Sequence, residues 1–220
     1  MNIICNIETP FPQKFGIPRQ PLLVEEAWGK LVFPKNDFYS EAFRGLENFT
    51  HLWLIFSFHL IQSEDVKGLV SPPRFDGKLK LGVFASRSPH RPNPLGISVV
   101  KFDRIEVEKS QIILWVKGVD LVNGTPILDI KPYVPYCDSI KDAEAKLFEN
   151  PPSFLPVRWD CPYGLVTVEI RILIEKIIAL DPRPAHDKGE NFSFGVSVAG
   201  FNARFRKDDD AFVITELTIV

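Results

Sequence analysis

Between Gly82 and Ser98 the chain reads G-V-F-A-S-R-S-P-H-R-P-N-P-L-G-I-S, and this stretch restricts the possible folds more than any other. Pro89, Pro92 and Pro94 lack a backbone N–H and have a fixed φ, so neither a helix nor a sheet ladder can run through them. Ser88, Arg91 and Asn93, each preceding a proline, are steered to extended backbone. The expected result is a stiff loop presenting Ser86, Arg87, Ser88, His90, Arg91 and Asn93. Residues 81–85 before it form an apolar run that reads as a buried strand. Gly96 then turns the chain into a second apolar run, residues 97–100. A rigid polar loop held between core strands is one way to fix ligand-contacting groups. A proline-stiffened surface turn fits the same residues, so this loop alone decides nothing.

Upstream, residues 3–8 read as a short strand ended by Thr9-Pro10-Phe11-Pro12, and residues 14–21 (K-F-G-I-P-R-Q-P) as a second proline-bracketed loop. Residues 28–33 read as a strand, residues 37–47 as a short helix or turn with Gly45 as a C-cap, and residues 52–59 as a strand buried on both faces. Downstream, residues 97–107 and 111–119 alternate and are joined as a hairpin. Asn123-Gly124 signals a turn, and residues 127–133 a further strand. Short strands and loops of this kind predict a β-barrel or sandwich, and no alternation of strand with long helix supports a Rossmann-type domain.

The composition changes near residue 138. Residues 138–156 are polar and proline-bearing, with a locally helical stretch at 143–148. Ile170, Leu173, Ile174, Ile177 and Ile178 follow the i, i+3, i+4, i+7, i+8 rule and predict an amphipathic helix over 168–180, ended by D-P-R-P at 181–184. Phe192, Phe194, Val196 and Val198 alternate as a strand, and residues 201–205 and 212–217 flank a K-D-D-D turn. The expected fold is mainly β: a β-barrel domain at 1–137, a linker at 138–156 and a small α+β domain at 157–220.

With 220 residues, 45% of them hydrophobic, the chain can bury a substantial core. The longest apolar stretch, residues 52–60, is interrupted by Ser57 and His59 and falls far short of the roughly 20 residues of a transmembrane helix. The first ten residues carry neither a basic segment nor a secretory cleavage pattern. Cys5, Cys137 and Cys161 are far apart and odd in number, which fits reduced thiols and supplies no metal framework. A cytoplasmic protein without membrane or metal is the expectation. The net charge of −2 does not advertise a nucleic-acid binder, although Arg74, Lys78, Lys80, Arg87, Arg91 and Lys101 face only Asp76 between positions 74 and 101. A solvated charged face accounts for the same run.

The usual cradles are absent: no G-x-G-x-x-G after a strand, no G-x-x-x-x-G-K-[ST], no G-x-S-x-G elbow, no C-x-x-C or H-E-x-x-H. The polar groups that remain sit at strand ends: Arg19, Gln20, His59, the loop at 86–93, residues 123–125, then Asp129 and Lys131. They suit holding an adenosine-like ligand more than breaking bonds. Methyl transfer from S-adenosylmethionine suits such a site, because the sulfonium already carries its leaving group. His59 fits a hydrogen-bonded core histidine as well as a ligand contact. Asp129, set between apolar residues on a strand, calls for a partner in Lys131, Arg87 or a ligand amine.

The segments at 14–21, 44–59 (R-G-L-E-N-F-T-H-L-W-L-I-F-S-F-H), 82–98 and 120–133 (D-L-V-N-G-T-P-I-L-D-I-K-P-Y) resemble the TsaA/TrmO family, and D-P-R-P-A at 181–185 resembles the C-terminal domain of its bacterial members. The resemblance implies a homodimeric, all-β, S-adenosylmethionine-dependent enzyme that methylates N6 of threonylcarbamoyladenosine at tRNA position 37. It places Pro18, Arg19, Gln20, His59, Leu60, Arg87, Ile97, Asn123, Gly124, Thr125 and Pro126 at the cofactor, near the subunit interface. Arg91, Asn93, Lys131 and Arg183 go to the tRNA, with Arg91 or Arg183 for the threonyl carboxylate. His59 and Asp129 are the candidate proton acceptors. Two departures stand out: His186 where the family tail carries a tyrosine, and Cys5 where its first strand carries a glycine. A non-catalytic β-barrel that binds a nucleoside or RNA, and methyl transfer to another small acceptor, are the rival readings.

Overall fold

The computed structural model describes residues 1–72, 75, 78–164, 166–183 and 193–220. Arg74 and Asp76 of the basic stretch, Phe192, and Pro184, Ala185 and His186 of the tail motif lie outside the described residues.

Six antiparallel strands make the first sheet: β1 (Cys5–Glu8), β2 (Trp28–Pro34), β3 (His51–Ser57), β6 (Leu95–Val107), β7 (Gln111–Lys117) and β8 (Pro126–Pro132). They pair in the order β1-β2-β7-β6-β3-β8, and β8 pairs back to β1, so the ring of pairings closes. Between them lie α1 (Asp37–Ala42), capped by the Asn36 side chain, and a two-stranded ribbon of β4 (Leu69–Val70) and β5 (Leu81–Gly82). Gly45 takes the left-handed conformation just past α1, at φ 87°, and opens a 3-10 turn at Leu46–Asn48.

Alternation decides which side chains fill the ring. Leu52, Leu54 and Phe56 point inward from β3 and are at most 3% exposed, each worth about 1.5–3 kcal/mol of burial. Their neighbours His51, Trp53, Ile55 and Ser57 are only half-buried, so β3 is buried on one face and not on both. The period was hidden because Trp53 and Ile55 are large and apolar on the outer face too. Gly96, opposite Phe56, admits that ring: a Cβ at Gly96 would lie 2.2 Å from it.

The run at 81–85 is not a buried strand. Only Leu81–Gly82 pairs; Val83–Ala85 is a 3-10 turn in which Val83 is buried and Phe84 is 79% exposed. The hydroxyl of Ser86 donates to the Val83 carbonyl at 2.9 Å and closes this turn. Nor do residues 143–148 form a helix. A six-residue segment followed by Pro151 and exposed along its length has no packing to offset the cost of nucleation.

The tail carries a four-stranded sheet in the order β10-β11-β12-β9, from β10 (Phe194–Val198), β11 (Phe201–Asp208), β12 (Ala211–Ile219) and β9 (Val157–Trp159). β9 runs parallel to β12 and follows directly on the proline-bearing segment that ends at residue 156. A short α2 (Pro135–Asp138) follows β8, and α3 (Val168–Ala179) buries Leu173, Ile174, Ile177 and Ile178 as its periodicity required. Ring and tail share one apolar core, in which Phe11 and Val24 meet Ile177, Val196 and Phe205. The amide of Ala199 donates to the Pro10 carbonyl at 2.8 Å, and Lys176 Nζ lies 2.6 Å from Glu26 Oε1. Asp138, where the linker was expected to start, accepts from the indole of Trp53 at 3.0 Å and from the Val134 amide at 2.8 Å, so the ring holds it.

Candidate active site

Two proline-bracketed loops meet above one end of the ring. Arg87 Nη1 donates to Gln20 Oε1 at 2.5 Å, across 67 positions of sequence. Each loop is fixed from below. In the first, Gly16 has φ 87° and lies so close to Val196 that a Cβ would approach within 2.1 Å of its methyl. Pro18 is buried, and the Leu22 amide donates to the Gly118 carbonyl at 2.9 Å. Arg19 Nη2 reaches the carbonyl of Asp181 at 3.2 Å, and Lys14 Nζ that of Leu60 at 3.3 Å. In the second loop, Arg91 Nη1 donates to the carbonyls of Ser86 and Ser88 at 3.3 and 3.2 Å, stapling the proline turn. His90 Nδ1 lies 2.9 Å from the Asp65 carbonyl.

Below Arg87 sits a carboxyl that sequence reading missed. Asp120 follows β7 in the chain, flanked by Val119 and Leu121, which are 0% and 3% exposed. Its Oδ1 accepts from the Ser98 hydroxyl at 2.7 Å. Burial pushes the Asp120 carboxyl up to about 6, and the Ser98 bond, its own backbone amide and the positive charge of Arg87 only partly reverse this. The available signal was an acid between two apolar residues, the same signal that drew attention to Asp129.

The other expected site residues divide into two groups. His59 and Leu60 are exposed beside Lys14, and the His59 imidazole is held below its ordinary value by partial burial first and by Lys14 second. Ile97 projects from the outer face of β6 and is 56% exposed. These lie with Gln20 and Arg87 on the loop-bearing elements. Asn123, Gly124 and Thr125 form the turn before β8. Asn123 Oδ1 accepts from the Thr9 amide at 2.9 Å, Gly124 has φ 81°, and the Thr125 hydroxyl donates to Val122 at 2.7 Å. Asn123 also lines a cleft of about 520 Å³ with Thr9, Trp28, Phe201 and Val220, and neither Arg87 nor Gln20 belongs to its lining. Pro126 pairs with Asn6 at the start of β8.

Asp129 faces outward opposite Ile55 and lies 3.0 Å from Lys131 Nζ, which answers the question of its partner. Asn93 is exposed in the proline loop. Arg183 departs from expectation. It is 3% exposed, its Nε and Nη2 lie 2.7 and 3.0 Å from the two carboxylate oxygens of Asp181, and its guanidinium lies 5.2 Å from the ring centre of Phe212. A guanidinium so enclosed is not presented to an RNA phosphate; the sequence motif marks it without revealing its burial. Among the described residues no three His, Cys, Asp or Glu side chains gather where they could hold a metal ion, and no helix is long and apolar enough to cross a membrane.

The site therefore offers a fixed guanidinium, a carboxamide, a desolvated carboxyl, a histidine held toward its neutral form and exposed aliphatic side chains. Groups of these kinds are chemically suited to a zwitterionic ligand bearing a heteroaromatic group and to taking up one proton. The family model for the tRNA-methyltransferase O N-terminal domain matches residues 6–139, and that for the TrmO C-terminal domain matches residues 164–219. The chain is 39% identical over 223 residues to a tRNA (adenine(37)-N6)-methyltransferase of Escherichia coli K12, covering 96% of this chain and 94% of the relative. It is 43% identical over 193 residues to a putative S-adenosylmethionine-dependent methyltransferase, RcsF, of Pseudomonas aeruginosa, covering 84% and 81%. A solved structure of TrmO from Pseudomonas aeruginosa superposes with a TM-score of 0.77 at 33% identity, over 99% of this chain and 96% of that one.

Proposed function

The chain belongs to the tRNA-methyltransferase O family, and from that premise we propose that it transfers a methyl group from S-adenosylmethionine to N6 of adenine 37 of tRNA. The observation that carries the reading onto this chain is the Arg87–Gln20 bond, which brings two of the family-like loops to one place. Bound S-adenosylmethionine supplies an electrophilic methyl group with its leaving group attached, so the residues of the chain need only hold, align and deprotonate. Arg87 suits a carboxylate, with Gln20 fixing its direction. Leu60 and Ile97, both exposed, suit the flat apolar faces of an adenine. Pro18, Arg19 and the turn at 123–126 shape the surrounding backbone.

The acceptor we favour is adenosine already bearing threonylcarbamoyl, whose extra carboxylate asks for a second arginine. Arg91 retains donors beyond the Nη1 that staples its loop, and takes this role in place of the buried Arg183. His59 serves as the proton acceptor in preference to Asp129, which is engaged by Lys131. Lys131 and Asn93 remain at the RNA.

We place the protein in the cytoplasm as a homodimer. The ring of strands acts as a β-barrel domain over 1–137, followed by the linker at 138–156 and the tail domain at 157–220. The surface for the second copy is the outer face of β3, β6 and β8, where half-buried Trp53, Ile55 and Val99 adjoin exposed Ile97. The test is titration calorimetry with S-adenosylmethionine, S-adenosylhomocysteine and ATP, then transfer of labelled methyl to threonylcarbamoylated and unmodified tRNA. Saturable binding of the two sulfur nucleosides but not ATP, with labelling of the modified tRNA only, is the expected result. No binding even with tRNA present would remove the reading.

A further inference from the structure

We propose that Asp120 is a further binding residue of the cofactor site, its ionised carboxylate accepting a hydrogen-bond donor of the bound cofactor beside Arg87 and Gln20. The inference rests on the cofactor reading above and deepens it.

Three relationships lead there. Asp120 lies in the irregular segment that leaves β7, between two buried apolar residues, so its position is set by the core and not by its own charge. Its carboxyl takes one hydroxyl, from Ser98 of β6, at 2.7 Å. A carboxylate has about four acceptor positions; among the described residues, besides the Ser98 hydroxyl only its own backbone amide donates to this one, and because Asp120 is half-buried and not sealed in the core, its remaining positions are open to a ligand. Arg87 is the charge that faces it among the described residues, yet Arg87 spends Nη1 on Gln20 and makes no hydrogen bond to Asp120 among those described. A half-buried acid and an exposed base that face each other without a hydrogen bond between them leave both available to a third party. The donors of S-adenosylmethionine, its ammonium and ribose hydroxyls, are the complement of such a carboxylate. The raised value of Asp120 is then a feature of the ligand-free protein, one that a donor from the ligand would lower.

A purely structural Asp120 would keep its protonation unchanged on binding. The test is therefore calorimetry with S-adenosylhomocysteine at pH 6, repeated in buffers of different ionisation enthalpy, on the wild type and on Asp120→Asn. The wild type is expected to release about half a proton per ligand bound, because a group titrating at about 6 becomes fully ionised in the complex. Asp120→Asn is expected to release none from this position and to bind about tenfold more weakly or worse. Equal affinity and equal proton release in both proteins would overturn the proposal while leaving the cofactor reading intact. Failure of the wild type to bind would overturn both.

Should Asp120→Asn fail to fold, Ser98→Ala gives the same answer. Losing the hydroxyl that favours the ionised form moves the pH midpoint of binding upward, and an unmoved midpoint would overturn the proposal.

Discussion

Arg183 Nε lies 2.7 Å from Asp181 Oδ1 and its Nη2 lies 3.0 Å from Oδ2, while the carbonyl of that same aspartate accepts from Arg19 Nη2 at 3.2 Å. Asp181 thus joins a buried tail arginine to the loop that carries Gln20. Its φ of 52° sets carboxylate and carbonyl to serve both partners. Removing one partner of a buried pair leaves the other uncompensated, at a cost of about 3 kcal/mol or more. Arg183→Ala is expected to lower the thermal midpoint by several degrees, and Arg91→Ala, at the loop, to leave it nearly unchanged. In tRNA binding the order reverses: Arg91→Ala should weaken binding of threonylcarbamoylated tRNA by about tenfold or more and leave unmodified tRNA nearly unaffected. Circular dichroism melts and binding titrations with both tRNAs check both halves.

Arg87→Ala should weaken S-adenosylhomocysteine binding by about ten- to a hundredfold, the usual cost of a hydrogen bond to a charged group. Gln20→Ala should cost less, since it only aims the guanidinium. Arg87 is exposed, so neither change should move unfolding by more than about 0.5 kcal/mol. Equal affinities across the three proteins, by calorimetry, would dissociate these loops from the cofactor.

Much of this was legible locally. The prolines and glycines of 14–21 and 82–98 announce loops wherever they occur, and the isoleucine spacing of α3 follows from helical geometry alone. What escaped was non-local. No short-range pattern reveals that Gln20 meets Arg87, or that Arg183 is enclosed by Phe194 and Phe212. Asp120 and Asp129 carry the same signal, an acid among apolar neighbours, but with opposite outcomes. Asp129 lies in a strand and alternation turns it outward against Lys131. Asp120 lies in irregular backbone between β7 and the Asn123-Gly124 turn, where no period applies and only packing decides.

The proton acceptor is tested by pairing His59→Gln with Asp129→Asn. If His59 takes the proton late in transfer, His59→Gln should lower kcat by about a hundredfold with KM for the cofactor little changed. Asp129→Asn breaks only a half-exposed ion pair and should stay within about twofold of the wild type. The kcat of the wild type should also fall on the acid side with a midpoint below the ordinary histidine value of 6.5, since both burial and Lys14 lower it.

The proposed dimer face makes a separate prediction. Ile97 is 56% exposed on β6, beside Ile55 and among apolar neighbours on one sheet surface. An arginine at this position would carry charge into a contact between two identical faces and meet its own copy or an apolar wall. Ile97→Arg should convert a dimer to a monomer by analytical ultracentrifugation while the melting curve of the protomer persists. A wild type that sediments as a monomer would remove this face from consideration.

Asp120 also predicts a conflict between stability and binding. Its folded value of about 6 stands above the ordinary 3.8, so the native state holds a proton that the unfolded chain has released throughout that interval. Stability from this group is therefore fully present below about pH 4, falls as pH rises, and is lost above about pH 6. The loss is on the order of 3 kcal/mol. Asn keeps the shape and an oxygen to accept from Ser98 but cannot ionise. Asp120→Asn should accordingly be more stable than the wild type in urea melts at pH 8, with the advantage shrinking toward zero near pH 4. Added S-adenosylhomocysteine should narrow that advantage at pH 8, by about 1.4 kcal/mol for a tenfold difference in affinity, because the ligand stabilises the wild type more than the variant. A variant that is less stable at pH 8 without ligand would show that the carboxylate is a structural tie and not a strained group kept for a ligand.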